Sequence, residues 1–189
     1  MHRAEIKAIM DSAIILVDTR EQLNPRFKVR VHDLNMPWEQ VKIDEGDYSI
    51  KAVLPDGTEV NLIDSVGIER KKDLNELASC FGSGRDRFLR EVKRAQAKGK
   101  KLYLLVENAQ IDYLMSDVLY KEHCQSRMNR NALLHSVISW SIKYGFQPWF
   151  CKDRNSGALI ASILKKELEC YLQNLIDAEE EGENGLDSD

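Results

Sequence analysis

The four cysteines of this 189-residue chain form no C-x-x-C pair and its four histidines are scattered, so neither a zinc site nor a disulfide framework is expected. No apolar run approaches the length of a membrane span and no secretory leader pattern is present, which predicts a cytoplasmic protein with reduced thiols. A G-x-x-x-x-G-K-[ST] loop is missing too, and with it the usual cradle for ATP phosphates. Nor is there an excess of positive charge: 27 Lys and Arg stand against 31 Asp and Glu, a formal net charge of −4. Spread evenly, that balance would repel nucleic acid. It is not even, because seven of the acids fall in residues 177–189, where there is no Lys or Arg, and the remainder carries 24 acids against all 27 bases.

A hydrophobic content of 43% over this length suits one well-buried core, placed at residues 13–176 after a short lead-in, 1–12. The acidic end, with Gly182, Gly185 and Ser188 among its acids, has no apolar periodicity and is expected to be unstructured. A solubilising role suits it best; competition with a nucleic acid for the basic surface is the sharper alternative.

Chemistry concentrates around one turn. Two β-prone runs, 47–53 and 60–69, flank Pro55-Asp56-Gly57-Thr58, where Pro favours the bend and Gly supplies positive φ. Paired antiparallel about that bend, they put Asp47 opposite roughly residue 66, with Asp47 and Glu69 at the open end. Side chains alternate along a strand, so Glu69 and Lys71 share one face and Arg70 takes the other. Two hard carboxylates beside an ammonium are the donor set for Mg²⁺ or Mn²⁺ acting on a phosphodiester, with Lys71 placed to orient water or an oxyanion. Upstream, the apolar run 13–17 reads as a buried strand delivering Asp18, Arg20 and Glu21 at its end. Asp18 is a candidate third metal ligand, or a cap of the next turn, on equal footing. Arg20 and Glu21 are candidates for steadying the site and a substrate phosphate.

In that order, Val17-Asp18-Thr19-Arg20-Glu21, Gly46-Asp47-Tyr48 and Glu69-Arg70-Lys71 resemble the ERCC-type nuclease domain of the XPF and Mus-type structure-specific endonucleases. The segment 74–91, with Leu77-Ala78-Ser79-Cys80-Phe81 and a Gly-Arg, is similar to the compact bacterial and phage branch of that family. The resemblance implies a restriction-endonuclease-like α/β fold with a mixed central sheet flanked by helices. It also implies Mg²⁺ or Mn²⁺ dependence, cleavage of branched, flap or junction DNA, and a setting in a bacterial or phage-infected cell. Asp18, Arg20, Glu21, Asp47, Glu69, Arg70 and Lys71 match the family's catalytic positions. Two features depart. The family's Asp three residues past the ERK is Asn75 here, followed by Glu76, and no G-hydrophobic-G hairpin for gripping duplex DNA is found. Substrate choice then falls to a homodimer partner, a separate DNA-binding protein or the domain's own surface.

That surface has a candidate. Between Arg85 and Lys101 lie eight bases, and Phe88, Leu89, Val92 and Ala95 mark the core face of a helix. Arg85, Arg87, Arg90, Lys93 and Arg94 are therefore candidate DNA contacts, weighed evenly against a merely solvated face. Helices are also expected over 74–81, over 131–144 and from a cap at Asn155 or Ser156 through Leu175, the last two being candidate dimer faces. Strands are expected over 101–107 and 146–151, and over 27–32 and 38–43 at the sheet edge, with Arg26, Lys28 and Arg30 along one strand face. Glu107 reads best as an exposed strand terminus. Asn75 keeps a second reading open, a catalytically weakened nuclease fold that binds or scaffolds DNA.

Overall fold

The computed structural model describes residues 3–186. A seven-stranded mixed sheet runs in the order β2 (Trp38–Val41), β1 (Ile14–Asp18), β3 (Tyr48–Val53), β5 (Val66–Lys71), β6 (Lys101–Glu107) and β7 (Gln147–Cys151), with the short β4 (Glu59–Asn61) also on β3. β3 is antiparallel to β1 and β5, whereas β2 is parallel to β1, and β5, β6 and β7 run parallel.

Helices cover both faces because the central strands are apolar on both. On one face α1 (Ile6–Asp11), α2 (Pro25–Asp33) and α8 (Ser156–Leu186) pack over Ile15, Val17, Ile50, Ile68 and Leu105. On the other, α3 (Leu74–Phe81), α4 (Arg85–Ala97), α5 (Ile111–Met115), α6 (Asp117–His123) and α7 (Arg130–Tyr144) cover Leu102, Leu104 and Val106. Ile160, Leu164, Leu168 and Leu172 of α8 are fully buried, and each such side chain contributes roughly 1.5–3 kcal/mol. The apolar stripe of α8 is thus covered by its own domain, while α7 keeps Ile138 and Ile142 exposed.

Several elements differ from expectation. Residues 25–33 form a helix, not a strand: Asn24 accepts the Phe27 N–H at 3.0 Å as N-cap, and Pro25 occupies the first turn. Phe27, Arg30 and Leu34 form its buried face, at helical spacing. Ile9, from the stretch set aside as a lead-in, is buried in the main core. The acidic stretch expected to be unstructured begins inside α8, which continues to Leu186, and residues 187–189 lie outside the described residues.

The ribbon carrying the site also differs in register. Near the bend Lys51 faces Asn61, and an unbroken ladder would then set Tyr48 against residue 64. Tyr48 instead faces Ile68, because residues 62–65 leave the ladder as a turn, held by Ser65 N–H and Val66 N–H on the Leu62 carbonyl, each at 2.9 Å. That four-residue excursion brings Glu69 up beside Asp47, whose N–H bonds the carbonyl of the neighbouring Ile68.

Candidate active site

The floor of the site lies where β3 begins and β5 ends. Asp47 donates its N–H to the Ile68 carbonyl at 2.7 Å, and its Oδ2 accepts the Arg70 N–H at 2.8 Å, which pins the carboxylate across the ladder. The chain turns in through Gly46 at φ +90°, where an added Cβ would sit 3.3 Å from both the nitrogen and the carbonyl oxygen of Ile68. Only glycine combines that left-handed backbone with so close an approach. Burial pushes the Asp47 carboxyl well above the ordinary carboxylate range, and Glu69 and Glu21 push it further.

Glu69 is buried and ion-paired to Lys71, whose ammonium also stands 5.3 Å from the centre of the Phe88 ring. Burial alone would depress the Lys71 pKa, but Glu69 outweighs it and holds the ammonium protonated above its usual value. Glu91 of α4 completes this floor. Burial, and a hydrogen bond shared with Glu69, push its carboxyl up to about 7, while its Oε1 lies 3.4 Å from the Gly46 N–H.

Behind Arg70, on the opposite face of β5, two guanidiniums and two carboxylates close a ring. Arg30 grips Glu107 through Nε at 2.8 Å and Nη2 at 3.2 Å, and donates to Glu21 at 3.1 Å. Arg70 donates to the same two acids, at 3.1 Å to Glu107 and 3.2 Å to Glu21. The Tyr48 hydroxyl donates to Glu21 at 2.8 Å, and burial with the adjacent Glu21 carboxylate drives its pKa upward. Glu107 is 1% exposed, so it is a buried acid of this ring and not an exposed strand terminus.

Asp18 donates its N–H to the Asp47 carbonyl at 2.8 Å, but its carboxylate is taken by other partners. Its Oδ1 takes Arg20 Nε and the Arg20 N–H, each at 2.7 Å, and its Oδ2 takes the Ile43 N–H at 2.7 Å and Arg20 Nη2 at 3.1 Å. Burial would raise its pKa, but these donors together hold it below the usual value. Arg20 also donates to the Ile43 carbonyl at 2.6 Å, so the pair ties β1 to the segment leading towards Gly46.

A cleft of about 980 Å³ opens over the floor. One wall is the β1–α2 connection and the first turns of α2, with Arg20, Gln22 and Arg26; the other is α3 and α4, with Asn75, Arg87, Arg90 and Arg94. Of the five basic residues singled out on α4, Arg87, Arg90 and Arg94 line the cleft. Arg85 instead lies over the Trp140 ring, 5.3 Å from its centre, and Lys93 is exposed away from the cleft wall. Asp73 caps α3 by accepting the Glu76 N–H at 2.9 Å; Asn75 accepts the Gln125 N–H at 2.7 Å, and Glu76 accepts the Lys72 N–H at 2.8 Å. The amide at 75 therefore ties α3 to the segment after α6, and Glu76 is folded back onto its own helix start.

The model of the ERCC4 domain matches residues 17–163, most of the chain, from the end of β1 through β7 and including both cleft walls. The chain belongs to the ERCC4 family. Among solved structures it is similar to XPF from Aeropyrum pernix, at 17% identity and a TM-score of 0.57, over 82% of this chain and 61% of that one. A second structure of that XPF, in complex with DNA, is similar at 18% identity and a TM-score of 0.55, over 81% of this chain and 63% of that one. The chain thus spans about three fifths of the XPF chains it resembles. No curated protein matches its sequence. As an ERCC4 member it has the restriction-endonuclease-like fold, a mixed sheet with helices on both faces.

Within this ERCC4 domain the fold brings together Asp47, Glu69 and Lys71 on one side of β5, and Glu21 and Arg70 on the other, while Asp18 and Arg20 form a separate pair. Two site residues were not legible in the sequence. Glu91 reads there as one acid among bases, although its position three residues after Phe88 borders the buried stripe. Arg30 lies in a segment whose alternation reads as a strand and whose helix alone turns it inward. Among the described residues no group of three or more His, Cys, Asp or Glu is arranged as a ready metal cluster, and no helix is long and apolar enough to cross a membrane.

Proposed function

We propose that this ERCC4 protein is a Mg²⁺- or Mn²⁺-dependent DNA endonuclease acting at branched, flap or single-strand/duplex junction DNA. The observation that carries the reading is Asp47, held on the Arg70 N–H, beside Glu69 of β5, with Lys71 paired to Glu69 on the floor of an arginine-walled cleft. Asp47 Oδ2 is fixed on the Arg70 N–H, and burial with Glu69 and Glu21 nearby raises the cost of ionising Asp47. That donor set fits a hard divalent cation, which would relieve the repulsion and be held by Asp47 and Glu69. Such an ion, when bound, supplies Lewis-acid stabilisation of charge developing on the phosphoryl oxygens and a more acidic water.

The chain's own groups do the rest. Lys71, kept protonated by Glu69, presents an ammonium to the attacking water or to the oxyanion. The ring of Glu21, Arg30, Tyr48, Arg70 and Glu107 fixes the end of β5, and Asp18 with Arg20 fixes the approach to Gly46, so the family's Asp18 and Arg20 act by positioning. Asn75 brings no charge and acts through its bond to Gln125. The test is cutting of labelled flap, fork and four-way-junction DNA with Mg²⁺, Mn²⁺ or EDTA. Ion-dependent cutting lost in Asp47→Asn is expected; binding without cutting under any ion would favour the weakened DNA-binding fold instead.

A further inference from the structure

The arginines of the cleft divide into two sets. Arg20, Arg30, Arg70 and Arg94 are each ion-paired, to Asp18, to Glu21 and Glu107, again to Glu21 and Glu107, and to Glu45. Arg26, Arg87 and Arg90 line the same cleft, are exposed, and have no ion-pair partner within 4.0 Å among the described residues. An unpaired guanidinium facing a water-filled cleft is a ready phosphate ligand, since no internal ion pair must break for it to bind.

Their placement adds more. Arg26 stands in the first turns of α2, in the layer that covers one face of the sheet, whereas Arg87 and Arg90 stand on α4, in the layer covering the other. Asp47 and Glu69 lie between them, at the sheet's end. The acids that share the cleft do not neutralise these three bases: Glu21 and Glu107 are taken by Arg30 and Arg70, Glu76 by the Lys72 N–H, and Asp47, Glu69 and Glu91 lie together on the floor.

Building on the nuclease reading above, we propose that one DNA strand crosses the end of the sheet from layer to layer. Arg26 binds backbone phosphate on one side of the scissile bond, and Arg87 and Arg90 bind it on the other. A strand held at both walls presents an internal phosphodiester to the floor, and a terminal one leaves a wall empty. Arg26, which the sequence set on a basic strand face either solvated or guiding DNA, stands instead on α2 and becomes the phosphate contact of the far wall.

The test is binding of a fluorescein-labelled 20-nucleotide single strand across 50–300 mM NaCl, with Ca²⁺ replacing Mg²⁺, by wild type, Arg26→Ala, Arg87→Ala, Arg90→Ala and Arg26→Ala/Arg87→Ala. Each single variant is expected to bind several-fold more weakly and to lower the slope of log affinity against log salt by about 0.7, with the double variant losing about twice that. Arg26→Lys should restore most of the slope, and unchanged melting temperatures would place the effect in binding. In the flap cutting assay, single methylphosphonates stepped along the cut strand should lose their effect in Arg26→Ala on one side of the cut and in Arg87→Ala on the other. Arg26→Ala with wild-type affinity and slope, or both variants mapping to the same side, overturns the two-wall path while leaving the nuclease reading intact. Salt slopes reduced from both walls without cutting under any ion would support the path and remove the chemistry, and absence of any DNA binding would remove both.

Discussion

The carboxyl group of Glu91 lies against that of Glu69, joining a helix on one face of the sheet to the strand that carries the family's ERK run. Two acids so close cannot both stay ionised without a counter-charge, and burial with Glu69 raises Glu91 to about 7. Folded protein without metal therefore holds this proton across a window where the unfolded chain has released it. Stability from this group is complete below about 4.5 and is lost as pH rises through about 7, a change on the order of 3 kcal/mol. Urea titrations in EDTA should show that decline in the wild type and a flatter profile in Glu91→Gln. With saturating Mg²⁺ the wild-type decline should shrink, because a bound cation supplies the counter-charge. A wild-type profile level from pH 5 to 8 in EDTA would contradict it.

Asp47→Asn should separate stability from ion binding. Removing one of two crowded, buried acids relieves repulsion in the metal-free fold, so the melting temperature in EDTA should rise. The same change removes a ligand, so Mg²⁺ affinity by calorimetry should fall at least about tenfold, and the stabilisation that Mg²⁺ confers on the wild type should vanish. Undiminished Mg²⁺ binding would place the ion elsewhere.

Arg30→Ala should be among the most destabilising single changes. It leaves Glu107, 1% exposed, with only Arg70 to answer its charge, and breaking a buried pair from one side costs about 3–5 kcal/mol. Chemical denaturation of Arg30→Met, Glu107→Leu and the Arg30→Met/Glu107→Leu double variant should give a coupling of about 1–3 kcal/mol. Additive losses would mean that the two side chains act independently.

Gly46→Ala should cost about 1–2 kcal/mol for the positive φ alone, with more from the contact of the new Cβ with Ile68. Because the displaced segment carries Asp47, Mg²⁺ affinity should weaken along with stability while far-ultraviolet circular dichroism stays the same. Preserved affinity in a destabilised variant would uncouple the glycine from the ion site.

Much of this arrangement can be read from residues alone. The apolar runs of β1 and β6, and the stripes of α3, α4, α7 and α8, stand out because their burial is continuous or periodic and needs no distant partner. Elements whose partners are remote in sequence do not stand out. In α2, Val29 and Val31 alternate with charged residues as in an edge strand, and the helix is betrayed only by Asn24 capping and by Arg30 turning inward towards Glu107, 77 positions away. The register of Asp47 is not legible in the sequence because 60–69 looks like one unbroken strand; only contacts such as Leu62 N–H to the Ile50 carbonyl reveal where the excursion begins. The donors around Asp18 include the Ile43 N–H, which no local pattern connects to it. Glu91 and Glu69 meet only once α4 is docked.

The excursion at 62–65 also divides the ribbon into a part that aligns the acids and a part that does not. Everything beyond Val53 and Glu59, the tip around Asp56 and Gly57, lies outside the contacts that seat Asp47 against Glu69. That tip can be lengthened, trimmed or made to carry an epitope, a fluorophore or a grafted recognition loop without disturbing the acids. Insertions at Leu62 to Ser65 have no such freedom, so diversity in loop length among relatives should gather at the outer bend and spare the inner one.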